Sequence, residues 1–225
     1  MAIVAFDLDD TLFTEMDFVR SGYRAVAEAL VDEADEREHY YRMFLALRPR
    51  GFEEARADYL ARHGKEARLT VDDMVYTYRH HRPELSLFPG ARKALEDIRR
   101  AGHRLVLVTD GSTLHQRSKF NALGIADLFD PADIFVSEET GGDKTSGLPW
   151  TLIEKRYTAP GQRYYYVGDN LSKDFRLPRR RGWTTIMKRD TSGSNVFPQR
   201  PADWPAENRP HTAFDNYELL PKFIF

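Results

Sequence analysis

The chain has 225 residues, 41% hydrophobic and 30% charged, with a net charge of -2. That length suits one large domain or a core with a smaller insert, and the charge balance offers no basic field for nucleic acid or an anionic membrane. There are no cysteines, which excludes disulfides, thiolate metal sites and a cysteine nucleophile.

The first element is a strand. Ile3 to Phe6 reads IVAF, a short unbroken apolar run of the kind a strand buried on both faces shows. It leads straight into Asp7, Asp9 and Asp10. Carboxylates so close together repel one another and are costly to desolvate, so their crowding at the end of a buried strand demands a reason.

Residues 15–87 carry no strand signal. Val19, Tyr23, Val26 and Leu30 lie at helical spacing, as do Phe52, Ala55 and Tyr59, and Val71, Met74, Val75 and Tyr78. Pro49-Arg50-Gly51 and His63-Gly64 break the pattern. The segment reads as an insert of three or four helices. It follows the carboxyl end of the first strand, where open α/β sheets bind ligands, and is expected to act as a lid.

From residue 88 onward helix and strand alternate. Pro89-Gly90 opens and Gly102 closes a helix whose Ala91, Ala94, Leu95 and Ile98 share a face. HRLVLV reads as a strand before Thr109, and STLHQRSKFNALG as a helix. DIFV before Ser137, YYYV before Gly168-Asp169 and WTTIM before Lys188 are further strands. SGSNVFPQRPADWPAENRP, with four prolines, reads as an irregular loop, and HTAFDNYELLPKFIF as a last strand and short helix. The expected fold class is α/β. It has a doubly wound, Rossmann-like parallel sheet core over 1–14 and 88–225, with an inserted α-helical domain over 15–87. No stretch approaches the roughly 18 apolar residues of a membrane span, and the short apolar start lacks a basic leader. The expectation is a cytoplasmic protein with no membrane and no nucleic-acid partner.

In a parallel sheet the carboxyl ends of the strands share one edge. Asp7, Thr109 and Asp169 each end a strand, and Lys144 follows another, so one pocket is expected to hold them. Several carboxylates coexist when a hard divalent cation sits among them, and Mg²⁺ prefers oxygen ligands. Such a site suits phosphate. A carboxylate can attack phosphorus, and the cation neutralises the phosphoryl oxygens. Asp9, two residues on, can handle the leaving group's proton. Thr109 and Lys144 can serve the equatorial oxygens. An ordinary carboxylate pKa of about 3.9 would leave Asp7 ionised for attack at neutral pH.

Each residue alone has a plainer reading. Asp9, Asp10 and Thr11 suit a turn or a helix cap. Thr109 suits a structural role, Lys144 a solvated surface and Gly168-Asp169 a turn. Their order and their places at strand ends favour the site. His80-His81 reads as a surface pair and Arg179-Arg180-Arg181 as a solvated face.

These motifs resemble those of the haloacid dehalogenase-like (HAD) hydrolases. Asp7-Leu8-Asp9-Asp10-Thr11 matches the D-x-D-x-T motif, VLVTDG supplies Thr109, Lys144 lies in SEETGGDKTSGLPW, and Gly168-Asp169 through Asp174 matches G-D-x-x-x-x-D. The helical insert is similar to the family's C1 cap. The resemblance implies that Asp7 is the nucleophile and Asp9 the general acid and base. It implies Mg²⁺ bound by Asp7, by the backbone carbonyl of Asp9 and by Asp169, with Asp174 completing the metal set from nearby. Thr109, with Asp110 and Gly111 just after it, would bind the transferring phosphoryl group, and Lys144 would balance charge. In one departure, Thr145 to Leu148 separate Lys144 from Pro149, where many relatives have proline directly after the lysine. Asp9 is absent from relatives that cleave carbon–halogen bonds or phosphonates, so phosphate esters are implied.

The expected activity is Mg²⁺-dependent hydrolysis of a small phosphorylated metabolite, a nucleoside monophosphate or a sugar phosphate, through an aspartyl phosphate. The alternatives are a phosphomutase or phosphotransferase on the same scaffold and a non-catalytic binding protein.

Overall fold

A computed structural model describes residues 1–225, the side chain of residue 201 apart. The chain divides into two compact units, Met1–Met16 with Ser86–Phe225, and Asp17–Leu85. In chain order the elements are β1 (Ala2–Phe6), α1 (Glu15–Leu30), α2 (Ala34–Ala46), α3 (Gly51–His63), α4 (Val71–His80) and α5 (Ala91–Arg100). There follow β2 (Arg104–Thr109), α6 (Thr113–Ala122), β3 (Ile134–Val136), α7 (Ser137–Thr140) and α8 (Leu148–Arg156). β4 (Arg163–Gly168), α9 (Arg176–Arg180), β5 (Thr184–Lys188) and β6 (Thr212–Phe214) follow, with short 3₁₀ turns between, and a 3₁₀ helix over Tyr217–Phe223 comes last.

The six strands form one sheet in the order β3-β2-β1-β4-β5-β6, every neighbouring pair parallel. The winding reverses at β1, and a crevice at the carboxyl ends of the strands is the place such a sheet offers a ligand. All five residues of β1 are buried, as an unbroken apolar run in a central parallel strand requires. Ile3 and Ala5 share a face of the sheet with Val106, Val108 and Tyr166, and there they pack with Trp150, Ile153 and Trp183. The Trp150 ring meets Tyr166 and Trp183 edge-on, at 4.8 and 5.4 Å. Both indoles keep a polar partner, as buried tryptophan needs: Nε1 of Trp150 donates to Lys144 O and Nε1 of Trp183 to Glu154. Helix α5 buries Ala91, Ala94, Leu95 and Ile98, the face its spacing predicts.

The second unit has its own core of Val26, Ala27, Leu30, Val31, Tyr40, Phe44, Ala55 and Met74. The buried stripe of α1 runs through Phe18, Gly22, Val26 and Leu30. Val19 and Tyr23, expected in that stripe, flank it half-buried. Gly22 takes the inner place because the Tyr78 ring lies against it, 2.7 Å from where a Cβ would stand. Thr70 starts α4 with a reciprocal capping box to Asp73. Of the expected surface pair, His80 is exposed and stacks on Tyr76, whereas His81 is half-buried against Phe18. Among the described residues no helix is long and apolar enough to cross a membrane.

Candidate active site

The site is built at the carboxyl edge of the sheet. The Asp7 N–H donates to Val167 O over 2.8 Å, carrying the β1–β4 ladder one residue beyond the strand and fixing where the carboxylate starts. β2 ends on Thr109 and β4 on Gly168, with Asp169 next. Lys144 arrives from the loop between α7 and α8. Its N–H donates to Asp110 Oδ1 over 3.0 Å, and its carbonyl accepts the Trp150 indole. The backbone is thus held on both sides of the side chain, with Thr145 to Leu148 standing before Pro149.

Lys144 Nζ lies 2.7 Å from Asp7 Oδ1 and 2.9 Å from Asp174 Oδ1, and all three side chains are buried. Asp174 organises this centre. Its Oδ1 also accepts from the Tyr166 hydroxyl at 3.1 Å. Its Oδ2 accepts the backbone N–H groups of Asp169 and Asn170 at 3.0 and 2.8 Å. Those four bonds engage the roughly four lone-pair sites of a carboxylate. Gly168 permits the close approach, since a Cβ there would stand 2.5 Å from Asp174 Oδ2.

Carboxylate oxygens of Asp7, Asp169 and Asp174 lie within 4.8 Å of one another. Burial pushes the Asp7 carboxyl up to about 7, with Lys144 opposing and Asp174 adding to the rise. Burial, then Asp174 and Asp7, raise Asp169 well above the usual carboxylate range. Against its own burial, Asp174 is held below that range by Lys144 and Lys173. Lys144 is desolvated too, yet Asp174 and Asp7 hold its ammonium above the usual lysine range. An ordinary carboxylate pKa therefore does not keep Asp7 ionised here, because burial overrides it. Two lysines, Lys144 and Lys173, face three clustered carboxyls, so one negative charge is left over when all three are ionised. An all-oxygen donor set with surplus negative charge fits a hard divalent cation of the Mg²⁺ kind.

The remaining expected residues are close by. Asp9 turns toward α6, with Oδ1 2.7 Å from Lys119 Nζ and Oδ2 3.2 Å from Gln116 Nε2. The Thr109 hydroxyl donates to Gln116 Oε1 over 3.1 Å. Asp110 spends its carboxylate on the Lys144 N–H and on Lys173 Nζ, the latter at 3.4 Å. The Gly111 N–H donates to the Ser137 hydroxyl over 2.9 Å. Gly111 has φ 143°, and a Cβ there would meet Gln116 Nε2 at 2.6 Å.

Several site residues escape a reading of the sequence. Asp10, read from the sequence as a turn or cap residue, has a left-handed φ of 52°, but its tie to a distant loop does not show in the sequence. Its oxygens accept the N–H groups of Glu15 and Val196, both at 2.8 Å. The loop expected to be merely irregular closes on the site. Asn195 Nδ2 donates to Asp169 Oδ2 over 2.9 Å, and Gln199 Nε2 to the Asp169 carbonyl over 3.0 Å. The Asp190 carboxylate gathers the N–H groups of Ser192, Gly193, Ser194 and Asn195 and so shapes this loop. An Asp followed by Ser, Gly and Asn is a local signal for such a turn, but nothing in it points to Asp169. Glu15, half-buried at the start of α1, has its carboxyl pushed up to about 7 by burial and by Asp9.

A doubly wound parallel sheet with a lysine-bridged acid cluster at its carboxyl edge defines the core of an α/β enzyme. The family model for haloacid dehalogenase-like hydrolases matches residues 1–176, and the chain belongs to that family. It is 28% identical over 230 residues to a glyceraldehyde 3-phosphate phosphatase of Methanopyrus kandleri, covering 97% of this chain and 98% of that one. A glyceraldehyde 3-phosphate phosphatase of Methanocaldococcus jannaschii is also 28% identical, over 81% of this chain and 82% of its own. Among solved structures, the HAD-hydrolase YfnB of Bacillus subtilis, bound to magnesium, superposes with a TM-score of 0.66 at 20% identity. That match covers 99% of this chain and 98% of YfnB.

Proposed function

We propose that the protein is a Mg²⁺-dependent phosphatase of the cytoplasm that hydrolyses a small sugar phosphate through an aspartyl phosphate on Asp7. The observation that carries the reading is the placement of Asp7 at the end of β1. It is bridged by Lys144 at 2.7 Å and has carboxylate neighbours within 4.8 Å. Relatives matched over 97% and 81% of this chain and named as glyceraldehyde 3-phosphate phosphatases support the substrate class.

In this mechanism Asp7 attacks phosphorus, an Asp7–phosphorus bond forms, and the bond from phosphorus to the sugar oxygen breaks. Asp9 gives its proton to the departing oxygen. Asp9 then takes a proton from water as that water attacks the phosphoaspartate, releasing inorganic phosphate and restoring Asp7. Thr109, Lys144 and the backbone at Asp110 orient the phosphoryl oxygens, with Gly111, its N–H held by Ser137, shaping the turn beside them. Asp7, Asp169 and the Asp9 carbonyl would hold Mg²⁺, supported by Asp174, and the ion supplies charge neutralisation to the phosphoryl group. The helical unit is the element proposed to act as the cap and to select the non-phosphate part of the substrate.

The test is phosphate release from a panel of three- to six-carbon sugar phosphates, nucleoside monophosphates and p-nitrophenyl phosphate, with Mg²⁺ and with a chelator. Metal-dependent release that favours a sugar phosphate is expected. Folded protein that binds Mg²⁺ but turns over no ester would reject the reading, and isomerised product in place of free phosphate would reassign it to phosphoryl transfer.

A further inference from the structure

Helix α6 directs two polar side chains into the first unit. Gln116 and Lys119 stand three residues apart, hence on one face of the helix, and they are only 5% and 4% exposed. Lysine is almost never buried this far without a partner. Here one partner is Asp9, whose Oδ1 lies 2.7 Å from Lys119 Nζ, and the ammonium also draws on the Glu15 carboxyl.

Gln116 completes the arrangement. Its Oε1 accepts from the Thr109 hydroxyl at 3.1 Å, while its Nε2 donates to Asp9 Oδ2 at 3.2 Å and to the Asp110 carbonyl at 3.1 Å. Only this orientation of the amide satisfies all three partners, since the other would set its carbonyl against a carboxylate and a second carbonyl. Each oxygen of Asp9 therefore has its own donor, both from the same helix, and the plane of the carboxylate is fixed. The Asp9 side chain is still 18% exposed, so this clamp leaves part of it open.

We propose that Lys119, with Gln116, is a positioning pair that aims the Asp9 carboxyl at the leaving-group oxygen. The proposal rests on the phosphatase reading above. A core position does not call for this cation. Neighbouring Phe120 and Leu123 fill their places with apolar side chains, and burying an ammonium costs more than burying a methionine of similar length. What the lysine adds is direction, and proton transfer depends on it, because a misplacement of about 1 Å can cost on the order of 10²-fold in rate.

The experiment compares wild type with Lys119→Met and Lys119→Arg under Mg²⁺. The substrates are p-nitrophenyl phosphate, whose leaving group departs without help, and a sugar monophosphate, whose alkoxide needs a proton. For Lys119→Met, kcat on the sugar phosphate is expected to fall roughly 10²-fold, and on the aryl ester by less than about threefold, with KM little changed. Lys119→Arg should recover much of the loss. In an Asp9→Asn background Lys119→Met should change nothing further, because its effect passes through Asp9.

Equal losses on both esters, or an undiminished effect in the Asp9→Asn background, would overturn the proposal and leave Lys119 a structural residue. If circular dichroism shows Lys119→Met unfolded, Lys119→Gln, which removes the charge and keeps a polar end, must show the same split between the esters. If wild type releases phosphate from neither ester, the phosphatase reading itself fails and the role of Lys119 fails with it.

Discussion

Asn195 donates its amide to Asp169 Oδ2 over 2.9 Å, reaching back 26 residues to the end of β4 from a loop held in shape by Asp190. Gln199 holds the carbonyl of the same aspartate. A carboxylate that accepts such a bond has less freedom to turn, so the free energy of ordering it is met before a cation arrives. Loss of outer partners of this kind typically weakens metal affinity about 10- to 100-fold. Asn195→Ala is therefore expected to weaken Mg²⁺ binding, measured by calorimetry on metal-free protein, by roughly tenfold. Unchanged affinity would mean that Asn195 does not preorganise Asp169 for the ion.

The buried carboxyls give Mg²⁺ binding a pH dependence of definite sign. With its carboxyl raised to about 7 by burial, Asp7 carries a proton at pH 5 in the metal-free protein. A cation must displace that proton, and any that Asp169, also raised by burial, retains, so apparent affinity rises with pH. Binding to the folded state raises thermal stability through mass action. At a fixed Mg²⁺ concentration the gain in Tm is thus expected to be larger at pH 8 than at pH 5. Comparing the gain, and not Tm itself, removes the contribution of His81, His103 and His211. Their lowered pKa values change stability over the same range in the opposite direction to Asp7. A gain independent of pH would place the ion away from Asp7.

Asp7→Asn removes the attacking oxygen and should lower kcat by about 10³-fold or more on every ester. The same change takes one carboxyl from a crowded buried cluster and leaves Lys144 its contact with Asp174. The metal-free variant is therefore expected to melt no lower than wild type, the usual trade between a strained site and stability. Asp9→Asn should act differently, with the loss concentrated on poor leaving groups. Equal loss on aryl and sugar esters would remove Asp9 from the role of proton donor.

What is legible in the sequence follows from which contacts are local. Asp7, Thr109 and Asp169 can be found because each ends an apolar run, and a parallel sheet brings such ends to one edge. Lys144 can be placed by its position after β3, even without an adjacent proline. Lys119 and Gln116 belong to a helix whose pattern shows no sign that one face meets a carboxylate. The loop of residues 190–199 has no periodicity, and its return to Asp10 and Asp169 is purely tertiary. The raised pKa of Asp7 is hidden for a related reason: residue type sets the starting value, and burial, known only from the fold, moves it. In α1 the apolar spacing marks the helix and places Val26 and Leu30 inside, but Phe18 and Gly22 replace Val19 and Tyr23 in the buried stripe, Gly22 because the Tyr78 ring lies against it.

Gly168 sets the limit on how tightly Asp174 can be held. An added Cβ would stand 2.5 Å from Asp174 Oδ2, 2.8 Å from its Cγ and 3.0 Å from a ring carbon of Tyr166. The carboxylate cannot simply turn aside, since four hydrogen bonds fix it. Gly168→Ala must either push β4 away or break the bonds from Asp169 and Asn170 to Asp174. Overpacking of this kind costs about 1–3 kcal/mol, which for a chain of this size is a fall in Tm of roughly 3–10 °C. Turnover should fall as well, because Lys144 is aimed at Asp7 through the same carboxylate. A thermal melt of the purified variant decides it. An unchanged Tm with full activity would show that β4 gives way without cost and that Asp174 does not depend on this close approach.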